Sequence, residues 1–168
     1  MNKRIKFIGD TRLWFFVILW VLTLGSSGCS KPVTTASSDP IEKRVTQLIE
    51  DSVTSSELEV KAFKELEAMG DDGVPYMVSH LKDLRPLPSK GMLLENHFKD
   101  AFEGSRRYSP ETVHDALSAI LNQITGQNFE FVFNGATKQE RIKDTKEWIT
   151  WCRSRYPNKV AVCGDAED

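Results

Sequence analysis

Most of the signatures by which a sequence announces its chemistry are missing from this one. GQNFEFVFNG, residues 126–135, does not place closely spaced glycines ahead of a helix, so there is no loop to cradle a phosphate. No H-x-x-x-H or H-x-x-E pair occurs. His80, His97 and His114 stand seventeen residues apart on separate expected helices, where solvation or a local hydrogen bond is their ordinary role. HFKDAFE puts His97, Asp100 and Glu103 at spacings of three on one expected helical face, but acids so spaced usually face water. Asp71 and Asp72 beside Gly73 lack the ordered run of oxygen ligands of a calcium loop and read as turn and cap residues. Cys152 has no base that the sequence can place beside it, which leaves it without the partner a nucleophile needs. No catalytic residue, metal site or cofactor is therefore expected.

A second long apolar run is also missing; the first one opens the chain. Residues Met1 to Arg12 carry Lys3, Arg4, Lys6 and Arg12 against one acid, Asp10, and Leu13 to Leu24 are almost wholly apolar before GSSG. That is the order of a secretory signal peptide. A spanning helix needs about 20 apolar residues, and this run is shorter. Ser27 and Gly28 followed by Cys29 resemble the bacterial lipoprotein signal, although Ser26 stands where that pattern usually has an aliphatic residue. The resemblance implies cleavage before Cys29, diacylglycerol and palmitate-type acyl chains on its thiol, and a lipid bilayer as the first partner. Ser30 and Lys31 lack the Asp that often retains such proteins in an inner membrane, which favours the outer membrane of a cell that has two. A signal cleaved without lipid and an uncleaved anchor are the alternatives.

Residues 1–28 hold four of the 22 basic side chains and one of the 24 acidic ones, so the chain from Cys29 carries 18 against 23, a net charge of about −5. With that balance and no second basic block, nucleic acid has little to hold. Residues 29–40, rich in Ser, Thr and Pro, cannot bury enough apolar area to offset their ordering entropy and read as a tether.

Residues 41–157 read as one helical domain. Ile41, Val45, Leu48, Ile49 and Val53 share one helix side. Ser56 and Glu59 make a capping box for a second helix through Met69, which Gly70 stops. A third is expected from Val74 to Leu84, with Pro75 in its first turn. Met92 to Phe102 is expected to be helical with an imperfect apolar side, and the loop GSRRYSPE, containing Arg106, Arg107 and Tyr108, to be exposed for a partner. Ser109 before Pro110 opens the cleanest apolar stripe, Val113 to Ile124, closed by Gly126. Phe129, Phe131 and Phe133 are expected to plug the helix layer without forming a strand. Thr137 and Glu140 cap a last helix that Pro157 ends, and residues 158–168 read as a mobile polar tail.

AFKELEAMGDDGVPYMVSHLKDL, residues 62–84, resembles a HEAT-type helical repeat, and VHDALSAILNQITGQNFEF, residues 113–131, with KEWITWC after it, resembles the terminal portion of bacterial HEAT-like proteins. What this implies is an all-α fold, a short HEAT-like α-solenoid or a compact bundle of antiparallel helix pairs, whose surface meets a protein partner or supports an assembly. No enzyme residue carries over.

Exported proteins meet oxidising conditions, and the segment after Pro157 can fold back, so a Cys152–Cys163 disulfide is expected, with a buried free thiol as the alternative for Cys152. Trp148 and Trp151 are expected chiefly to close the core, and Trp151 with Arg106, Arg107 and Tyr108 forms the candidate interaction surface. The expected function is that of a non-catalytic, membrane-tethered envelope lipoprotein binding an envelope protein. A small-ligand or cell-wall-binding module is the alternative, marked by a pocket at Trp148 or Trp151, and an enzyme is the third reading, marked by titratable residues converging in one cleft.

Overall fold

The computed structural model describes residues 39–165; the leader, Cys29 and the rest of the tether lie outside them. Within this span 58% of residues are helical, in six α-helices and two 3-10 turns, and one small two-stranded sheet accompanies them. The fold is therefore mostly helical but not all-α. No described helix is long and apolar enough to cross a membrane.

Helix α1, Pro40–Ser52, begins where Asp39 accepts the Ile41 N–H at 3.0 Å and Pro40 fills a position that needs no donor. It buries Val45, Leu48 and Ile49 against α2, Ser56–Ala68, which contributes Ala62, Phe63 and Leu66. The cap of α2 is Ser55, one residue before the expected one. Glu59 is not a capping partner. It is buried, accepting the Ser89 N–H at 2.8 Å and the Ser89 hydroxyl at 3.0 Å, and burial pushes its carboxyl above the ordinary range. This bond fastens the proline-containing loop before residue 91 onto α2.

The chain reverses at Gly70, φ +55°, passes through a 3-10 turn, Gly70–Gly73, and enters α3, Val74–Ser79. A Cβ on Gly73 would stand 2.9 Å from Met69 Cβ, so the close approach here requires glycine. The third helix stops well short of Leu84, yet Leu81 stays fully buried and the apolar spacing is satisfied without a helix.

Residues Met92–Glu95 form strand β1, paired antiparallel with β2, Ser105–Tyr108, in the register Met92 to Tyr108 and Leu94 to Arg106. This overturns both the helix expected at 92–102 and the open loop expected at 105–108. The physical reason is the pattern of burial: Met92 and Leu94 enter the core while Leu93 and Glu95 face out, a period of two that a helix cannot satisfy, and of the apolar residues that follow, Phe98 is only half-buried and Ala101 and Phe102 are exposed.

Helix α4, Val113–Thr125, is the centre of the core, with Val113, Ala116, Leu117, Ala119, Ile120 and Leu121 all inaccessible. Each of the larger side chains contributes about 1.5–3 kcal/mol by leaving water. Its cap is Thr112, in a capping box with Asp115, so the helix starts later than Ser109 suggested, and Gly126 closes it at φ +72°. Helix α5, Lys138–Arg155, has the expected Thr137–Glu140 box. Beyond it a 3-10 turn, Pro157–Lys159, leads into α6, Val160–Cys163, whose Cys163 is buried and bonded to Cys152. Residues 157–163 are thus a packed element, correcting the mobile tail expected there. The disulfide and the burial of Cys163 supply the cause that polar composition concealed.

One clasp ties the two ends of the described chain together. The Asp39 carboxylate accepts from the Tyr76 hydroxyl and from Lys159 Nζ at 3.1 Å, and the same ammonium lies 4.9 Å from the Tyr76 ring centroid. The Tyr76 hydroxyl, then the Ile41 N–H and Lys159, hold the Asp39 carboxyl down to about 2. A folded-state value below the unfolded one means that the stabilisation is present above about pH 4 and is lost as pH falls toward about 2. Asp39→Asn should therefore flatten the dependence of stability on pH between about 4 and 2 and leave the slope above pH 5 unchanged, as urea melts across that range would read; an unaltered acid limb would remove Asp39 from this role.

Candidate functional site

The seam between α2 and β1 contains two adjoining concavities. One, of about 260 Å³, is lined by Val60, Phe63, Lys64, Gly91, Met92 and Leu93. The other, of about 500 Å³, is lined by Lys64, Glu67, Ala68, Leu93, Leu94, Glu95, His97 and Ser105. Lys64 and Leu93 belong to both. Val60 and Leu93 leave 47% and 58% of their surface in water, and Phe102, in the turn between the strands, is wholly exposed. Val60 and Leu93 line these concavities, whereas Phe102 lines neither.

The strand register decides which backbone groups face this seam. Asn96 donates its N–H to Gly104 O at 3.1 Å, so Glu95 and Ser105 form a pair without mutual hydrogen bonds, and by alternation so do Leu93 and Arg107. The N–H and C=O of Leu93 and Glu95 consequently point away from β2. The Glu95 N–H is met by Glu67 Oε1 at 3.2 Å. Leu93 finds no backbone partner among the described residues.

At the polar end, His97 Nε2 lies 3.4 Å from Glu67 Oε1. Burial, more than any neighbour, pushes the Glu67 carboxyl up, while His97 and the Glu95 N–H pull it down. Glu67, Glu95 and His97 therefore converge in one cleft, although among the described residues no group of three or more His, Cys, Asp or Glu could hold a metal ion.

A second polar cluster lies in the core. His114 Nδ1 donates to Leu81 O at 2.6 Å, and its Nε2 is 3.2 Å from Asp144 Oδ2. Ser118 donates to the same oxygen at 2.7 Å and accepts the Trp148 Nε1–H at 3.1 Å. Every member is at most 2% exposed. A serine, a histidine and an aspartate meet here, but the serine hydroxyl is committed to the carboxylate and not to the imidazole, and no substrate can reach it; the arrangement orients α5 on α4 and has no nucleophile. His80 is also local in its role, 3.2 Å from the Thr46 hydroxyl, its imidazole pKa lowered chiefly by burial. The three histidines lie in separate surroundings.

Of the candidate surface residues, Arg106 and Arg107 are exposed on β2, and Arg106 lies over the rings of Phe98 and Tyr108 at 5.7 and 5.8 Å. Tyr108 is not a surface residue: it is buried, its hydroxyl accepts from Gln123 Nε2 at 2.5 Å, and its ring packs edge-on against Phe133. Pairing with Met92 draws it inward. Trp151 is half-buried, edge-on to Trp148 and Tyr156, and with Phe129 lines a shallow open cavity of about 420 Å³; Trp148 is in the core. Cys152 and Cys163 are joined, and Cys29 lies outside the described residues. Sequence reasoning missed Val60, Glu67 and Leu93. MLLE, three apolar residues in a row before Glu95, has no alternation that would single out Leu93. Compared with protein-family models, with curated proteins and with solved structures, the chain matches none.

Proposed function

We propose that this chain is a membrane-tethered envelope lipoprotein whose helical domain binds a protein partner, without catalysis of its own. The observation that carries the binding half is the pair of exposed apolar side chains, Val60 and Leu93, that line the seam of α2 and β1, with Phe102 wholly exposed in the turn that follows β1. The tethering half rests on the leader: Cys29 accepts the acyl chains, the lipid bilayer is the first partner, and the outer membrane is the favoured site in a cell with two. We read the helices as a compact bundle of antiparallel pairs and not an extended HEAT-like solenoid, because α1 to α5 contribute to a single core cluster around α4.

Two measurements test the two halves separately. The protein purified from bacterial membranes should have the intact mass of a chain beginning at a diacylglyceryl Cys29, and Cys29→Ala should abolish processing; a mass that retains Met1 would make the leader an anchor. For binding, a photo-crosslinking amino acid at Phe102 should give a discrete adduct with an envelope protein in cells, whereas one at Lys143, which is well exposed on α5 and lines neither concavity, should not. Identical adduct patterns at the two positions would remove the interaction reading.

A small-ligand role has one observation in its favour. A cavity of about 170 Å³ between the end of α3 and α5 is lined by Leu81, Leu84, Ile142 and Ile149 together with Lys82, Lys146, Arg141, which is paired with Asp115, and one acid, Asp165. Aliphatic walls with cations about them suit a small apolar anion. Saturable shifts of the Ile142 and Ile149 methyl resonances on adding octanoate, but not octanol, are what this second reading requires.

A further inference from the structure

The open edge of β1 lies at the meeting point of two cavities of different chemistry, and that juxtaposition specifies a partner. Leu93 offers one N–H and one C=O away from β2, both unpaired among the described residues. On one side of it is the cavity walled by Val60, Phe63 and Met92, which Lys64 also lines; on the other is the cavity lined by Glu67, Glu95, His97 and again Lys64. An added strand exchanges both backbone hydrogen bonds with the residue opposite Leu93, and its neighbours before and after that residue, two apart in sequence, point to the same face. Their side chains therefore fall one into each cavity.

We propose that β1 receives an extended segment of a protein partner as a third strand, with an apolar and a basic side chain two residues apart on either side of the residue bonded to Leu93. The proposal rests on the protein-binding reading above and names the chemistry of its partner. A basic side chain is selected because Glu67 lines the cavity entered by the residue opposite Leu94, and the exposed Glu95 also lines it. The other charged or titratable groups there are Lys64, which lines both cavities, and His97, whose ring nitrogen already faces Glu67. An acidic side chain in that place would add a third carboxylate to the lining of Glu67 and Glu95, against the single ammonium of Lys64. A helix in the seam is disfavoured because it would leave the Leu93 N–H and C=O unmatched. Glu67 has a double role here, since it also satisfies the Glu95 N–H and so ends the open stretch of edge after Leu93.

The test is selection of a random peptide library, displayed on phage, against the full chain held in nanodiscs. Enriched peptides should share an apolar residue and a Lys or Arg separated by one position. Synthetic copies should bind at least about tenfold more weakly when the intervening residue is N-methylated. Val60→Asp should weaken them comparably. Glu67→Gln combined with Glu95→Gln keeps side-chain acceptors in place and should erase the preference for the basic residue while sparing that for the apolar one. Enrichment of no peptides, of peptides lacking this pattern, or of peptides indifferent to N-methylation would each overturn the proposal. Such failure is distinguishable from failure of the broader reading, because crosslinking at Phe102 in cells would still report a protein partner bound by another route.

Discussion

Asp144→Ala is expected to lower the free energy of unfolding by about 3–5 kcal/mol, the cost typical of breaking a buried pair of ionisable side chains by removing one partner. Asp144 Oδ2 accepts the Ser118 hydroxyl and stands 3.2 Å from His114 Nε2. Its removal takes the acceptor from the Ser118 hydroxyl and the neighbouring carboxylate from His114 Nε2, which makes no hydrogen bond of its own, where water does not reach, since His114 and Ser118 are at most 1% exposed. The imidazole cannot turn to a new partner without giving up the Leu81 carbonyl at 2.6 Å. Ser118 can rotate but then ceases to be an acceptor oriented for Trp148 Nε1. Ser118→Ala should be milder, about 1–3 kcal/mol, because it deletes one neutral donor and leaves the indole N–H unmatched. Urea denaturation of the two single variants and the double variant measures the coupling: the double variant should be less destabilised than the sum of its parts. A loss below about 1 kcal/mol for Asp144→Ala would mean that the cluster is not what locks α5 to α4.

How much of this fold was legible depends on whether the signal was local. The stripe from Val113 to Ile124, the glycine at its end and the Thr137–Glu140 box are properties of neighbouring residues, and each appears in the structure as read. The plug of Phe129, Phe131 and Phe133 also appears, edge-on against Trp148, His114 and one another. What escaped depends on pairing at a distance. Met92 and Leu94 suit either an imperfect helix or a strand, and the choice is made by Tyr108, sixteen residues beyond Met92. Glu59 has the spacing of a capping residue from Ser56, but its real partner is Ser89. The candidate site inherited this difficulty. Arg106 and Arg107 were placed on the surface correctly, yet the seam they adjoin exists only because β1 packs beside α2, and no local pattern joins Val60 to Leu93. Cys152 and Cys163 were an exception, a distant pair legible from the compartment that the leader implied.

That disulfide carries the other large effect. It closes a loop of 11 residues, and its loss by Cys152→Ser with Cys163→Ser is expected to destabilise the protein by about 3 kcal/mol through the greater freedom of the unfolded chain. The reduced wild-type protein should show the same loss, which a comparison of urea melts with and without dithiothreitol would read; equal midpoints would show that packing alone retains α6. The consequence extends beyond the bond. Lys159 lies between Cys152 and Cys163, and it is Lys159 that brings the third hydrogen bond to Asp39 at the far end of the described chain. Opening the loop weakens that contact but not those of Tyr76 and Ile41, which are the larger causes of the lowered Asp39 carboxyl. The reduced protein should therefore lose part, not all, of the stability change between about pH 4 and 2. An acid limb unaffected by reduction would show that the clasp holds Lys159 without the disulfide, and one abolished outright would show that Tyr76 depends on α6 for its position.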